Sequence, residues 1–280
     1  TSTGYIKYNA VHWDGIEWSM KRIRYYGDCS VVEYPAIKSI YHFNDTTMII
    51  TNGGSIGWYN GNTLILDCGV NPLLNGAINK IWGKSKEDLY VVGNNGSIAH
   101  YNGVSWKKLE SGTTLNINDI WGDYNPKTNE WEIVAAASNY GSSWDKEILK
   151  IKSNSVEKLS TYSNPTMEPL LTNWFVPSKQ YYVAGAGIYQ KRLLTDSVWK
   201  NNGFNITTYA TTSIRGNNIN DIIAVGAFGD FLHYNGVSWK SHYQEPLLSS
   251  GSYGSVKING NLIIASGRKN NEAVILVGRR

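Results

Sequence analysis

The stretch Ile78–Trp106, INKIWGKSKEDLYVVGNNGSIAHYNGVSW, constrains this chain more than any other. It reads as four short strands. Ile78–Trp82 and Leu89–Val92 are apolar runs separated by the polar Lys84–Asp88, Ser97–Tyr101 follows the Asn94-Asn95-Gly96 break, and Val104–Lys107 follows Asn102-Gly103. Asn-Gly is the strongest short hairpin signal, and it predicts a two-residue type I′ turn with positive φ at both residues. The unit is therefore a four-stranded antiparallel meander.

Weaker copies recur. The inner-strand motif IWG aligns at Tyr41, Trp82, Trp121, Trp174, Arg215 and Lys257, with spacings of 41, 39, 53, 41 and 42 residues. A period of about 40–45 residues with four strands per copy is the signature of a propeller blade. The outer hairpin recurs at His12–Trp18, Trp58–Gly61, His100–Trp106 and His233–Trp239, and is degraded around Glu147–Glu157 and Ile188–Trp199. The fold class predicted is an all-β propeller of six four-stranded blades in one domain spanning 1–280. The expected blades are about 35–66, 76–109, 117–160, 170–201, 211–242, and 253–280 joined with 1–24. The N-terminal hairpin lacks inner strands and the C-terminal strands lack an outer one, so the two ends are expected to close a ring. One surplus third-type strand leaves seven blades open for a longer parent, and the opening Thr1-Ser2-Thr3-Gly4 reads as a piece of a longer polypeptide.

The copies GNNGSIAHYNGVSWKKLESGTT and INDIWG resemble a family of secreted bacterial propellers, sometimes labelled glucosyltransferases. They are also similar in pattern to Asp-box and photosystem-assembly-factor propellers, whose outer hairpin carries an Asp/Asn-Gly turn and a following Trp. The resemblance implies a propeller in an extracellular, periplasmic or cell-surface setting. The glucosyltransferase label implies an enzyme, but no paired-carboxylate or nucleotide-sugar motif accompanies it. A sialidase-like site would call on several arginines, and only seven are present.

Composition excludes several classes. The 26 basic and 22 acidic residues are scattered, so no nucleic-acid stripe is visible. No apolar run approaches a membrane span. Neither a cofactor motif nor a metal-ligand spacing is legible. His12, His100 and His233 recur with the repeat and read as structural. Cys29 and Cys68 lie outside any CxxC, and a disulfide and two free thiols both remain open.

Aromatics are the unusual feature, with 11 Trp and 19 Tyr against 5 Phe. A Trp recurring once per copy is explained by packing. Subtracting the repeat leaves Trp131, Trp144, and the tyrosines Tyr25, Tyr26, Tyr34, Tyr124, Tyr140, Tyr162, Tyr243 and Tyr253 in connections. In a meander the long connections emerge on one face, and such loops carry binding residues. The binding residues expected are Tyr25, Tyr26, Tyr140, Trp144 and Arg215. Arg215 replaces Trp on an inner strand, where it binds an anion or pairs with Asp221 or Asp230. The function expected is a non-catalytic module recognising a protein or a glycan through its loop-rich face, as a monomer or within a larger multidomain chain. The alternative is a glycoside hydrolase or lyase with Arg215 at the channel and carboxylates such as Glu33, Asp67 or Glu168.

Overall fold

The computed structural model describes residues 7–27, 29, 32–43, 47–139, 145–159, 169–201, 206–242, 248, 250–270 and 272–279. The architecture is all-β, a six-bladed propeller built from four-stranded antiparallel blades. Among the described residues the one helical element is a short 3₁₀ turn, Asn71–Leu73. The chain divides into two compact units, Thr1–Thr114 and Leu115–Arg280.

The first unit opens with a two-stranded hairpin, β1 (Ala10–Trp13) and β2 (Trp18–Lys21). A complete blade follows, comprising β3 (Ser39–His42), β4 (Met48–Thr51), β5 (Ile56–Tyr59) and β6 (Leu64–Asp67). The second blade is β7 (Ile78–Ser85), β8 (Asp88–Gly93), β9 (Ile98–Tyr101) and β10 (Trp106–Lys108).

The second unit holds a third blade of β11 (Ile117–Asn125), β12 (Glu130–Ser138), β13 (Lys146–Ile151) and β14 (Val156–Leu159), and a fourth of β15 (Leu170–Val176), β16 (Gln180–Gly185), β17 (Gly187–Lys191) and β18 (Lys200–Asn201). The fifth is β19 (Thr211–Asn218), β20 (Asp221–Gly226), β21 (Phe231–Tyr234) and β22 (Trp239–Ser241). The last sheet has three strands, β23 (Gly251–Asn259), β24 (Leu262–Lys269) and β25 (Glu272–Arg279).

Neighbouring blades are joined by a clasp written into the inner strands. In four blades a side-chain acceptor stands two residues before the motif's aromatic position, and it takes a backbone N–H from the next blade's inner strand. Ser39 Oγ accepts from Ile81 (3.3 Å), Asp119 Oδ2 from Asn173 (3.1 Å), Thr172 Oγ1 from Ile214 (3.2 Å) and Ser213 Oγ from Val256 (3.2 Å). The glycine of IWG has a related cause. The aromatic of one blade lies over the glycine of the next: the Tyr41 hydroxyl donates to Gly83 O at 2.6 Å, and a Cβ on Gly216 would stand 2.6 Å from the Trp174 ring.

The Asn-Gly turns differ from expectation. Asn102 to Ser105 form a four-residue loop, because Trp106 pairs with Tyr101. The Asn102 carboxamide oxygen accepts the N–H groups of Val104 and Ser105, each at 3.0 Å, so the side chain closes the turn and only Gly103 needs positive φ, at 91°. Asp14, Asn60 and Asn235 do the same in their hairpins. Two of the recurring histidines, His100 and His233, are bonded within these frames. His100 Nε2 lies 2.8 Å from Asp88 Oδ1 and His233 Nε2 lies 3.3 Å from Asp221 Oδ1.

Candidate functional site

Two places in the molecule carry groups that the frame does not explain. The first is the connection from β2 to β3 in the first unit. Its chain runs extended from Arg22, so side chains alternate. Ile23 and Tyr25 turn inward onto Ile50, whereas Arg22, Arg24 and Tyr26 turn out. This corrects one expectation: Tyr25 is only 1% exposed, its hydroxyl is buried without a hydrogen-bond partner, and burial pushes its pKa well above the ordinary tyrosine value. Tyr26 is the exposed member of the pair at 73%.

Cations sit on the outward rings. The Arg24 guanidinium lies 4.4 Å from the Tyr26 ring centroid and Arg22 lies 4.1 Å from that of Tyr34. Arg24 also reaches Glu33 at 2.6 Å, so Glu33, expected as a catalytic carboxylate in the alternative reading, holds an arginine in place.

The connection is tied at several points. Cys29 and Cys68 are joined by a disulfide with Cα atoms 5.5 Å apart. Ser55 Oγ donates to Cys29 O at 2.5 Å. The Asn9 side chain accepts from Ile23 N (2.8 Å) and donates to Ile23 O (2.8 Å) and Pro35 O (3.0 Å). The surface of Arg22, Arg24, Tyr26, Glu33 and Tyr34 is thus held in shape before any partner arrives, which lowers the ordering cost of binding.

The second place is the set of inner strands in the second unit. Arg215 is 5% exposed and its pairing is neither with Asp221 nor with Asp230. It forms a two-pronged ion pair with Asp119, Nη2 to Oδ1 at 2.8 Å and Nη1 to Oδ2 at 2.9 Å. Nη1 also donates to Asn173 O (3.1 Å) and Ile214 O (2.7 Å). The pair skips the intervening blade, which inner strands allow because they converge. Asp119 is saturated by this arginine, the Thr172 hydroxyl and Asn173 N–H, so the pair fills space and holds three blades together. Arg215 stacks on Trp121 at 5.2 Å, and the Lys257 ammonium lies 6.0 Å from the same ring. Desolvation, then the charge of Arg215, hold the Lys257 pKa below its ordinary value.

Other expected residues fall differently. Asp67 accepts indole N–H groups from Trp106 (2.8 Å) and Trp58 (3.5 Å), which ties the first blade to the second. Tyr140, Trp144 and Glu168 lie outside the described residues. The arginines on the rings of Tyr26 and Tyr34 escaped sequence reasoning, which weighed tyrosines alone. The alternation Arg22-Ile23-Arg24-Tyr25-Tyr26 was the available signal.

No protein-family model matches the chain, and no curated protein sequence matches it. Solved structures do. A YCF48 structure described as bound to D1 peptide aligns with 98% of this chain and 86% of its own, with a TM-score of 0.68 and 14% identity. The fold is shared with YCF48. YCF48 from Cyanidioschyzon merolae gives a TM-score of 0.65 at 12% identity over 95% of this chain and 86% of its own. The extracellular domain of the one-component system BT4673 from B. thetaiotaomicron gives 0.65 at 12% identity over 96% of this chain, which spans only 35% of that longer chain. At these identities the likeness concerns the fold.

Proposed function

We propose that the chain is a binding module for a protein partner in an oxidising, extracytoplasmic setting, and that the connection carrying Arg22, Arg24, Tyr26 and Tyr34 is its contact surface. The observation that carries this reading is Tyr26, a large ring left 73% exposed on a segment otherwise fastened by a disulfide and a buried tyrosine. Aromatic rings and arginines are the residues that dominate protein contacts. With two arginines and one partly neutralising Glu33, the surface suits a segment bearing an aromatic or aliphatic anchor beside Asp or Glu. The propeller solved with a peptide and the extracellular domains of like fold support a binding role outside the cell. The disulfide supports the compartment, since such bonds persist where thiols are oxidised.

The test is a peptide and glycan array probed with the wild type and an Arg24→Ala/Tyr26→Ala variant. Acidic, aromatic-containing peptides should bind the wild type, and the variant should lose about tenfold or more, the loss expected for one good anchor. Equal binding by both would discard this surface. Turnover of an arrayed glycan would replace the reading with the enzymic one.

A further inference from the structure

The inner-strand motif places an aromatic ring in its first four copies, at Tyr41, Trp82, Trp121 and Trp174, and a cation in the last two, Arg215 and Lys257. Both cations come to one ring. The Arg215 guanidinium lies 5.2 Å and the Lys257 ammonium 6.0 Å from the ring of Trp121, so β11, β19 and β23 bring two positive charges to a single indole. One ring does not offset two cations. A ring face attracts an ammonium only out to about 6 Å, and Arg215 holds the nearer place.

The two cations are differently provided for. Arg215 is fixed by Asp119 and by the carbonyls of Asn173 and Ile214, and cannot retreat. Asp119 is saturated by that arginine, the Thr172 hydroxyl and the Asn173 N–H. Lys257 has no counterpart to Asp119. Among the described residues no carboxylate or carbonyl accepts from its ammonium, and the charge that acts on it is the repelling one of Arg215. As a residue Lys257 keeps contact with solvent, yet its ammonium is hemmed in enough that lost hydration leads the lowering of its pKa. The group therefore holds two positive charges and one negative, and the excess rests on the member whose donors find no acceptor there.

We infer that Lys257, held beside Arg215 at the Trp121 ring, anchors a binding site for one carboxylate, carried by a small organic acid or by the chain end of a partner. A single carboxylate matches the single excess charge. It accepts from the ammonium in place of the water that the surroundings exclude, and it screens Lys257 from Arg215. Phosphate suits the place less. The arginine fork that would grip it is already closed on Asp119, and a dianion would leave an excess of negative charge. This site goes beyond the contact surface proposed above and lies on other strands, so Arg24→Ala/Tyr26→Ala should leave it intact.

The probe is sodium acetate, followed through the indole N–H resonance of Trp121 in the whole chain. That N–H is buried without a partner among the described residues, and Trp121→Phe identifies its signal by removing it. Acetate should shift the signal saturably, whereas acetamide, and sodium chloride at equal ionic strength, should not. Acetyl-triglycine and its amide separate the two sources. Tighter binding than acetate by the free acid alone assigns the site to a chain end, and binding no tighter than acetate assigns it to small acids. Lys257→Gln should weaken acetate binding about tenfold or more, the worth of a hydrogen bond to a charged group. It should leave the Tm unchanged or raised, because Arg215 loses a like-charged neighbour. The inference is overturned if acetate gives no saturable shift, if chloride or acetamide shifts the signal equally, or if inorganic phosphate binds more tightly than acetate. It is overturned equally if Lys257→Gln binds acetate as the wild type does, or lowers the Tm, which would show the ammonium already bonded in the free protein.

Discussion

The second and fifth blades are written on one template. His100-Tyr101-Asn102-Gly103-Val104-Ser105-Trp106 and His233-Tyr234-Asn235-Gly236-Val237-Ser238-Trp239 are the same seven residues, and both hairpins fold alike. Each sets its histidine against the aspartate that opens its second strand, and each Tyr hydroxyl donates to the turn glycine carbonyl, at 3.0 Å from Tyr101 and 2.9 Å from Tyr234. Among the many positions where they part, three stand out. Where the second blade has Trp82, Asn95 and Ser97, the fifth has Arg215, Phe228 and Asp230. Each of these three exchanges a residue that suits its position for one that carries a cost: a buried cation, a bulky left-handed residue, a buried acid. A repeat supplies its own control, so departures of this kind stand out against the frame, and Arg215 shows that one of them can be turned to holding blades together.

The largest expected effect comes from breaking the arginine's pairing. Arg215→Met leaves the Asp119 carboxylate buried without its ion-pair partner, and removal of one member of a buried pair costs about 3–5 kcal/mol. The double change Arg215→Met/Asp119→Leu should recover much of that loss, since replacement of a buried pair by apolar groups is often nearly neutral. Urea unfolding of the two variants and the wild type measures both. A double variant no more stable than the single one would show that Asp119 matters through its bonds to Thr172 and Asn173 alone.

The turns separate the blades at the next level. Gly96 has φ of 69°, and an added Cβ would stand 1.9 Å from Thr113 O, a backbone atom that cannot yield cheaply. Gly229 has φ of 82°, and an added Cβ would stand 2.9 Å from both Cβ and backbone N of Leu248, a much milder approach. Both alanine variants pay the left-handed cost of about 1–2 kcal/mol, and Gly96→Ala meets much the harder clash besides. Thermal unfolding should rank Gly96→Ala clearly below Gly229→Ala. Equal losses would mean that the segment after β10, which carries Thr113, shifts as readily as the loop carrying Leu248.

Much of this frame was legible in sequence because a repeat states each position several times. The inner-strand spacing located the inner strands, and most of the recurring Trp, with His100 and His233, proved to be frame residues, while Trp18 is left exposed. What escaped depended on contacts without a local signature. Arg215 and Asp119 are 96 residues apart and two blades removed, so the inner-strand pattern suggested a partner requirement but favoured nearer aspartates. Tyr25 and Tyr26 are adjacent and chemically identical. Only the packing of Ile23 and Ile50 decides which ring turns inward. The cysteines showed no motif, and their bridge follows from the β2–β3 connection lying against the end of β6. Phe228 was readable in principle, as the residue standing where the other copies place Gly53 and Asn95, but aromatics were sought in the long connections and this turn is short.

The smallest effect has opposite signs in the two blades. Burial alone would raise the pKa of Asp88, but His100 and Lys84, bonded at 2.8 and 2.7 Å, outweigh it and the folded value is lowered. A depressed folded pKa gives stability that is present above the unfolded value and is lost as pH falls through the folded one. Asp230 is the reverse. Its folded pKa is raised by burial, so protonation favours the folded state, and a penalty develops as pH rises from the unfolded value through the folded one. Asp88→Asn should therefore cost on the order of 1 kcal/mol at pH 7, the worth of a hydrogen bond to a charged group, and little at pH 3. Asp230→Asn should stabilise the chain at pH 7 and change it least at pH 3. Urea midpoints of both variants against the wild type at the two pH values decide the matter. If Asp230→Asn destabilises at pH 7, the bonds from Thr207 and the Phe231 N–H outweigh the burial of the charge, and the fifth blade is as well satisfied here as the second.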